Sequence, residues 1–276
     1  MESNTSFHHI FGHAEVPSGS WDNVWEKSAK SVLFYIPVIL ACYFVTLFVL
    51  QRMTDWKGLM LQRLAGQLAM YPSFFLLIIS SHGGSSDAKF WNGYEGRFFE
   101  SDLWVDVFAN FYIAVNIAQA IGQVQTEKPP LLYQLMVHHA LSITCYTSGF
   151  YFDRFRFWTA FAGCCEITNL FLVPVFASKD YFPEWRRETW FLWNSRLLWF
   201  TFVTHRLVLF PCWLGLWFYD RLKANPDIQI HYMEGIGYPL TIFGLFILSG
   251  IWFRQIDRGL KKQLIIYLEA QKEKHA

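Results

Sequence analysis

The sequence predicts an all-α protein, a polytopic membrane helix bundle of about seven transmembrane helices. Two facts of composition and one pattern carry that reading. Of 276 residues, 53% are hydrophobic and 20% aromatic. Only 16% are charged, against about 25% in an ordinary soluble domain, so a water-soluble fold of this make-up would leave too much apolar surface in contact with water. The pattern is the spacing of charges. They cluster, and the stretches between clusters are long enough to cross a bilayer, which takes about 20 mostly apolar residues.

The stretches run in order along the chain. Those from Lys30 to Arg52, Arg63 to Asp87, Asp106 to Glu127 and Lys128 to Asp153 hold no internal charge. Arg156 to Lys179 holds Glu166 alone, Glu188 to Asp220 holds Arg196 and Arg206, and Asp227 to Arg254 holds Glu234. The sixth stretch exceeds one crossing and reads as one long helix, tilted or kinked near Pro211. No second domain and no internal repeat is visible, so nothing suggests a transporter built from inverted repeats. The division is residues 1–31 as a polar N-terminal segment, 32–255 as the membrane domain and 256–276 as a tail. In the tail, Ile256, Leu260, Leu264, Tyr267 and Leu268 share one face, as in a helix lying on a bilayer surface.

Net charge is +1, which gives no bulk attraction to nucleic acid. The polar residues 1–30 do not read as a signal peptide. Cys42, Cys145, Cys164, Cys165 and Cys212 all lie in apolar runs and read as small buried hydrophobes rather than a disulfide framework. His8, His9 and His13 cluster near the N-terminus without a thiol neighbour, and no metal site is expected. Lys and Arg are more frequent in the connections that are cytosolic when the N-terminus is luminal and the C-terminus cytosolic. Two short motifs agree with that orientation. Asn4-Thr5-Ser6 is a glycosylation sequon on the luminal side. Lys272-Glu273-Lys274-His275-Ala276 matches a K-x-K-x-x retrieval signal, which implies residence in the endoplasmic reticulum membrane and the COPI coat as a partner through Lys272 and Lys274.

Polar residues within a span are candidates for function, because hydrocarbon cannot solvate them. His138 and His139 stand side by side in the fourth stretch, about 100° apart around the helix. They read either as interhelical hydrogen-bonding groups or as general base, nucleophile or proton relay. Glu166 and Asn169 share a face of the fifth stretch. That carboxylate needs a proton or a cation, with His138, His139, Arg196 or Arg206 as partners and Arg206 the best of them on charge. Asp102, Asp106 and Asn110 make a polar stripe at the start of the third stretch, either a solvated helix end or the wall of a cavity. Arg196 can snorkel; His205 and Arg206 lie deeper, where an arginine can grip a phosphate or carboxylate headgroup.

The paired histidines, "CEITNLFLVP" in the fifth stretch and "FVTHRLVLFP" in the sixth resemble the TLC domain, shared by translocation-associated membrane proteins, ceramide synthases and a set of smaller TLC-domain proteins. The resemblance covers roughly residues 60 to 255. It implies a membrane protein of sphingolipid or ceramide metabolism. In ceramide synthases the corresponding histidines move an acyl group from acyl-CoA to a sphingoid amine. That implies His138 and His139 as a catalytic pair, with Glu166, Asn169, Asp106, Asn110, Arg196, His205 and Arg206 contacting substrate. No bound cofactor is implied, only fatty acyl-CoA as co-substrate, and a dry channel for the acyl chain. The chain lacks the further His-Asp pair and Asp that follow the histidines in ceramide synthases. It stands nearer to the smaller TLC-domain proteins, which leaves non-catalytic lipid binding or an escort of cargo as the alternatives to acyl transfer. Membrane lipids are the expected partners, and a homo-oligomer is compatible with the sequence.

Overall fold

The computed structural model describes residues 19–54, 57–129, 131–224 and 230–275. The sequon at Asn4 and the histidines at 8, 9 and 13 lie outside them. Seven long helices cross the described part of the molecule: α1 (Trp21–Met53), α2 (Gly58–Ser86), α3 (Leu103–Thr126), α4 (Leu131–Tyr151), α5 (Arg156–Lys179), α6 (Thr189–Lys223) and α7 (Met233–Lys274). No strand occurs among the described residues. Six of the helices are long and apolar enough to cross a membrane by length and composition. The seventh, α4, has 21 residues, about 30 Å of helix. It is less apolar because it carries Gln134, His138, His139, Ser142 and Ser148.

Burial separates inner from outer helices. Within the most apolar window of α3, 61% of residues are buried, against 11% for α1. Accordingly α3 packs on α1, α2, α4 and α5, while α1 exposes Leu33, Phe34, Phe44, Val45 and Phe48. In water such a stripe would be an aggregation site; facing acyl chains it is solvated. Gly163 of α5 permits the closest approach. A Cβ there would fall 1.9 Å from the Phe108 ring of α3, so only glycine lets the two helices meet at that level.

The end of the bundle that holds the α2–α3 and α4–α5 links is clamped by ion pairs. Arg97 reaches Asp220 through Nε (2.5 Å) and Nη2 (2.6 Å), and donates Nη1 to the Phe90 carbonyl (2.7 Å). Arg154 grips Glu234 in the same two-pronged way, Nε at 2.7 Å and Nη2 at 2.5 Å. Asp220 and Glu234 are both 0% exposed. These pairs tie α6 to the α2–α3 link and α7 to the α4–α5 link. Arg156 joins α5 to α3 through Asp106 (2.7 Å), and it also bonds Asp153.

This network accounts for much of the polar stripe in the third stretch. Asp106 is held by Arg156 and by the Ser101 hydroxyl, and Asn110 donates Nδ2 to the Lys27 carbonyl. Asp102 caps the helix by accepting from the Val105 amide. The stripe faces cations and backbone at the same level and so knits the helix ends.

Four departures from α-helix geometry within the long helices, among the described residues, fall at charged positions. Cys164–Glu166 forms a 3-10 turn in α5, and π-helical turns occupy Trp25–Ala29 in α1, Val203–Val208 in α6 and Met233–Gly237 at the start of α7. Pro211 and Pro239 follow the last two. A proline crowds the carbonyl four residues before it and offers it no N–H; residues 207 and 235 lie within the widened turns. The tail departs from its expected placement as well. The chain runs as one helix from Tyr238 to His275, with no break at 255. Its far part docks on the Pro183–Arg187 link, where Gln263 donates to the Arg186 carbonyl, Tyr267 meets Thr189 and Arg187 meets Glu273.

Arg154→Met leaves the Glu234 charge buried without its partner and should cost about 3–5 kcal/mol of unfolding stability. Arg154→Met/Glu234→Met should regain most of that loss. Thermal unfolding in detergent reads both, and wild-type stability in the single variant would show that the pair clamps nothing.

Candidate functional site

The two adjacent histidines have different surroundings. His139, 3% exposed, lies between two amides of α3: Nδ1 is 2.7 Å from Asn116 Oδ1 and Nε2 is 2.9 Å from the Gln123 carboxamide. Asn116 donates its own Nδ2 to the Tyr112 carbonyl at 2.8 Å, which fixes that amide with its oxygen towards the ring. Nδ1 therefore carries the proton in the neutral imidazole; Gln123 Oε1 faces Nε2, and turning that carboxamide over lets its nitrogen donate to Nε2. Every polar atom of His139 is thus engaged. His138 is the open one. Its ring lies 5.4 Å from that of His139, and its buried Nδ1 has no partner.

Glu166 and Arg206 form the second half of the site, and both are nearly sealed from solvent. The Glu166 carboxylate accepts from Asn169 Nδ2 at 2.5 Å and from the Cys165 thiol at 3.6 Å. Tyr112 of α3 and Arg206 of α6 lie beside it. Arg206 is within Coulombic reach of both Glu166 and His138. No direct Arg206–carboxylate contact forms among the described residues, however. Arg206 donates Nε to Thr168 Oγ1 at 3.1 Å and stacks its guanidinium on the Phe202 ring. A guanidinium has five N–H groups, and among the described residues the protein engages one. Four helices thus contribute to one buried polar cluster: Tyr112 and Asn116 from α3, His138 and His139 from α4, Glu166 and Asn169 from α5, Arg206 from α6.

Other expected residues lie elsewhere. Arg196 is on the outer surface, stacked on Trp193 at 5.0 Å. His205 turns to the opposite side of the π-helical turn from Arg206, bonding Thr204 Oγ1 at 2.7 Å and facing His82 of α2 at a ring distance of 5.9 Å. Asp106 and Asn110 belong to the clamped end. Three partners escaped the sequence reading: Tyr112, Asn116 and Gln123. A signal for two of them exists, since Asn116 and Gln123 are seven residues apart and share a face of α3, spaced to embrace one imidazole. No group of three His, Cys, Asp or Glu residues placed to hold a metal ion occurs among the described residues.

A chamber lies next to α4. Ser142, Tyr146, Trp158, Trp213, Tyr238, Thr241 and neighbours line it, with a volume of about 30 Å³, enough for a water molecule or a group of similar size. Aromatic rings fill much of that part of the core. Trp158 and Trp213 meet edge to face at 4.9 Å, and Tyr112 and Tyr146 pack at 4.8 Å.

The profile of the TLC domain (TRAM/LAG1/CLN8) matches residues 4–258, nearly the whole chain, so the chain belongs to the TLC-domain family. No curated protein and no solved structure matches it significantly.

The bonding of Asn116 makes a specific claim about His139. Nitrogen-15 spectra of histidine-labelled protein should show one imidazole locked with its proton on Nδ1. Asn116→Leu should remove that signal and destabilise the fold by about 1–3 kcal/mol, since it leaves a buried donor without an acceptor. An unchanged tautomer in the variant would mean that Asn116 does not set it.

Proposed function

We propose that this TLC-domain protein handles a membrane lipid of the sphingolipid or ceramide class, whose polar group docks on the buried cluster of His138, Glu166 and Arg206. The observation that carries the reading is the unspent bonding capacity of that cluster. Among the described residues, Arg206 engages one of its five N–H groups with protein, and the buried His138 Nδ1 meets no partner. Hydrocarbon leaves such groups costly unless a ligand meets them. A lipid headgroup with phosphate, carboxylate, hydroxyl or amide oxygens supplies acceptors to the guanidinium. The orientation set by the basic connections and the Lys272/Lys274 motif support residence in the endoplasmic reticulum membrane, with the N-terminus luminal.

A second reading, N-acyl transfer from fatty acyl-CoA to a sphingoid amine, is favoured by the state of the histidine pair. His139 is fully engaged and held in one tautomer, and its neighbour His138 is free to take a proton. In that reaction the amine nitrogen attacks the thioester carbonyl, the imidazole of His138 accepts the amine proton, and the thiolate of CoA departs and is reprotonated. The aromatic packing beside α4, Trp158 on Trp213 and Tyr112 on Tyr146, weighs against it, because an acyl chain would have to displace those rings.

Purified protein in nanodiscs separates the two. Incubated with fatty acyl-CoA and a labelled sphingoid base, a lipid-handling protein gives no N-acylated product by mass spectrometry, yet retains co-purifying lipid that Arg206→Gln sheds. Product from wild type, reduced at least 100-fold in His138→Ala, would transfer the assignment to the acyltransferase. Neither product nor Arg206-dependent lipid would end both readings.

A further inference from the structure

The chamber beside α4 differs chemically from the cluster above it. Its walls come from α4 (Ser142, Tyr146), α5 (Trp158), α6 (Trp213) and α7 (Thr241). Trp158 is 1% exposed and its indole N–H has no acceptor. An indole N–H can only donate, and leaving it bare in a buried site is costly. Two further hydroxyls face the same space with no partner among the described residues, those of Ser142 and Tyr146. The acceptors nearby are already occupied. Trp213 Nε1 takes the Trp158 carbonyl at 2.9 Å, and the Thr241 hydroxyl receives the Cys145 thiol at 3.2 Å. The chamber is lined mainly by apolar surface, and the unspent polar groups on its lining residues are donors. It also adjoins the cluster: Tyr146 packs at 4.8 Å on Tyr112, which lies beside Glu166, and Ser142 stands one turn from His139. The half-buried Tyr146, Thr241 and Leu245 place its mouth between α4 and α7.

We infer that this chamber is a carbonyl-binding subsite, which receives the acyl carbonyl oxygen of a membrane lipid on the Trp158 N–H and the hydroxyls of Ser142 and Tyr146. The inference rests on the lipid-handling reading and narrows it to lipids that carry an acyl linkage. A carbonyl oxygen offers two lone pairs and no proton, which matches the unspent donors of that lining. Its size suits the 30 Å³ available, with the lipid's chains left outside the mouth. An amide and an ester both provide the group, so the chemistry names the carbonyl and the experiment names its source.

The test measures binding to the full-length protein in nanodiscs, with diacylglycerol, its dialkyl ether analogue that lacks the carbonyl, and ceramide. Wild type should bind diacylglycerol or ceramide about five-fold or more tightly than the ether, the value of one or more hydrogen bonds. The tighter of the two carbonyl lipids identifies ester or amide. Trp158→Phe keeps a packed ring and removes the N–H; it should bring acyl and ether lipids to within two-fold of each other. Ser142→Ala and Tyr146→Phe each delete one hydroxyl, should narrow the gap partly, and stand in if Trp158→Phe does not fold. Equal binding of acyl and ether lipids by wild type overturns the subsite and leaves the lipid-handling reading intact. Discrimination that survives all three substitutions also overturns it, since the carbonyl is then read elsewhere. Binding of no lipid at all removes both.

Discussion

Arg154 and Glu234 meet through two parallel hydrogen bonds where neither side chain has appreciable contact with solvent. An ion taken from water into so poor a dielectric costs several kcal/mol, and only an opposite charge in good geometry offsets it. The protein meets this constraint at one end of the bundle, where Arg97–Asp220, Arg154–Glu234 and Arg156–Asp106 each join elements distant in sequence. Each pair is specific because the alternatives are worse. If α6 or α7 slid by a turn, it would strand a carboxylate next to Phe or Trp. The clamps thereby fix the relative depth of α3, α5, α6 and α7, and the polar cluster deeper in the bundle depends on that depth.

At the cluster the same constraint is met differently. Glu166 and Arg206 do not close into a direct pair among the described residues. Amide, thiol and hydroxyl groups take part of their capacity, and Asn169, Cys165 and Thr168 act as that cushion. The backbone contributes too. Glu166 ends a 3-10 turn and Arg206 sits in a π-helical turn, so both side chains leave the register that a regular helix would impose. π-helical turns are costly relative to α-helix and persist chiefly at functional positions. Here Pro211 sets one up by denying the residue 207 carbonyl its usual partner. The same wide turn separates His205 from Arg206 and sends them to different neighbours.

Charge spacing made the spans legible, since the gaps between clusters coincide with α1 to α7, and of the internal charges Glu166 and Arg206 converged while Arg196 stayed on the surface. What the sequence withheld was which helix each polar face meets. Asp102, Asp106 and Asn110 form a stripe whether they line a cavity or bind cations, and only the α4–α5 link, folded over α3, decides for Arg156 and Lys27. Likewise His138 and His139 are equivalent as letters. They diverge because the 100° between them turns one towards the two amides of α3 and leaves the other facing the cluster. The π-helical turns of α6 and α7 are legible only in retrospect, from the prolines that follow them. The continuous helix through residue 255 follows from local propensity: Gln263 and Tyr267 find partners on the Pro183–Arg187 link that no reading of the tail alone could supply.

The high aromatic content, first a sign of a membrane environment, also determines what the interior can do. Trp158, Trp213 and Trp217 stack against one another and against Phe98 and Phe155, and a packed interior of rings has few gaps larger than a water molecule. An acyl chain cannot thread it without displacing rings whose mutual contacts stabilise the α5–α6 junction. A lipid can instead lie along the outside of the bundle and present only its polar portion to the interior. That division of labour needs an entrance beside polar groups, and the surface between α4 and α7 is where half-buried residues adjoin buried donors. In the proposed reading the solid core and the unspent donors divide the work: the polar portion of the lipid is met inside, while its chains stay in the bilayer.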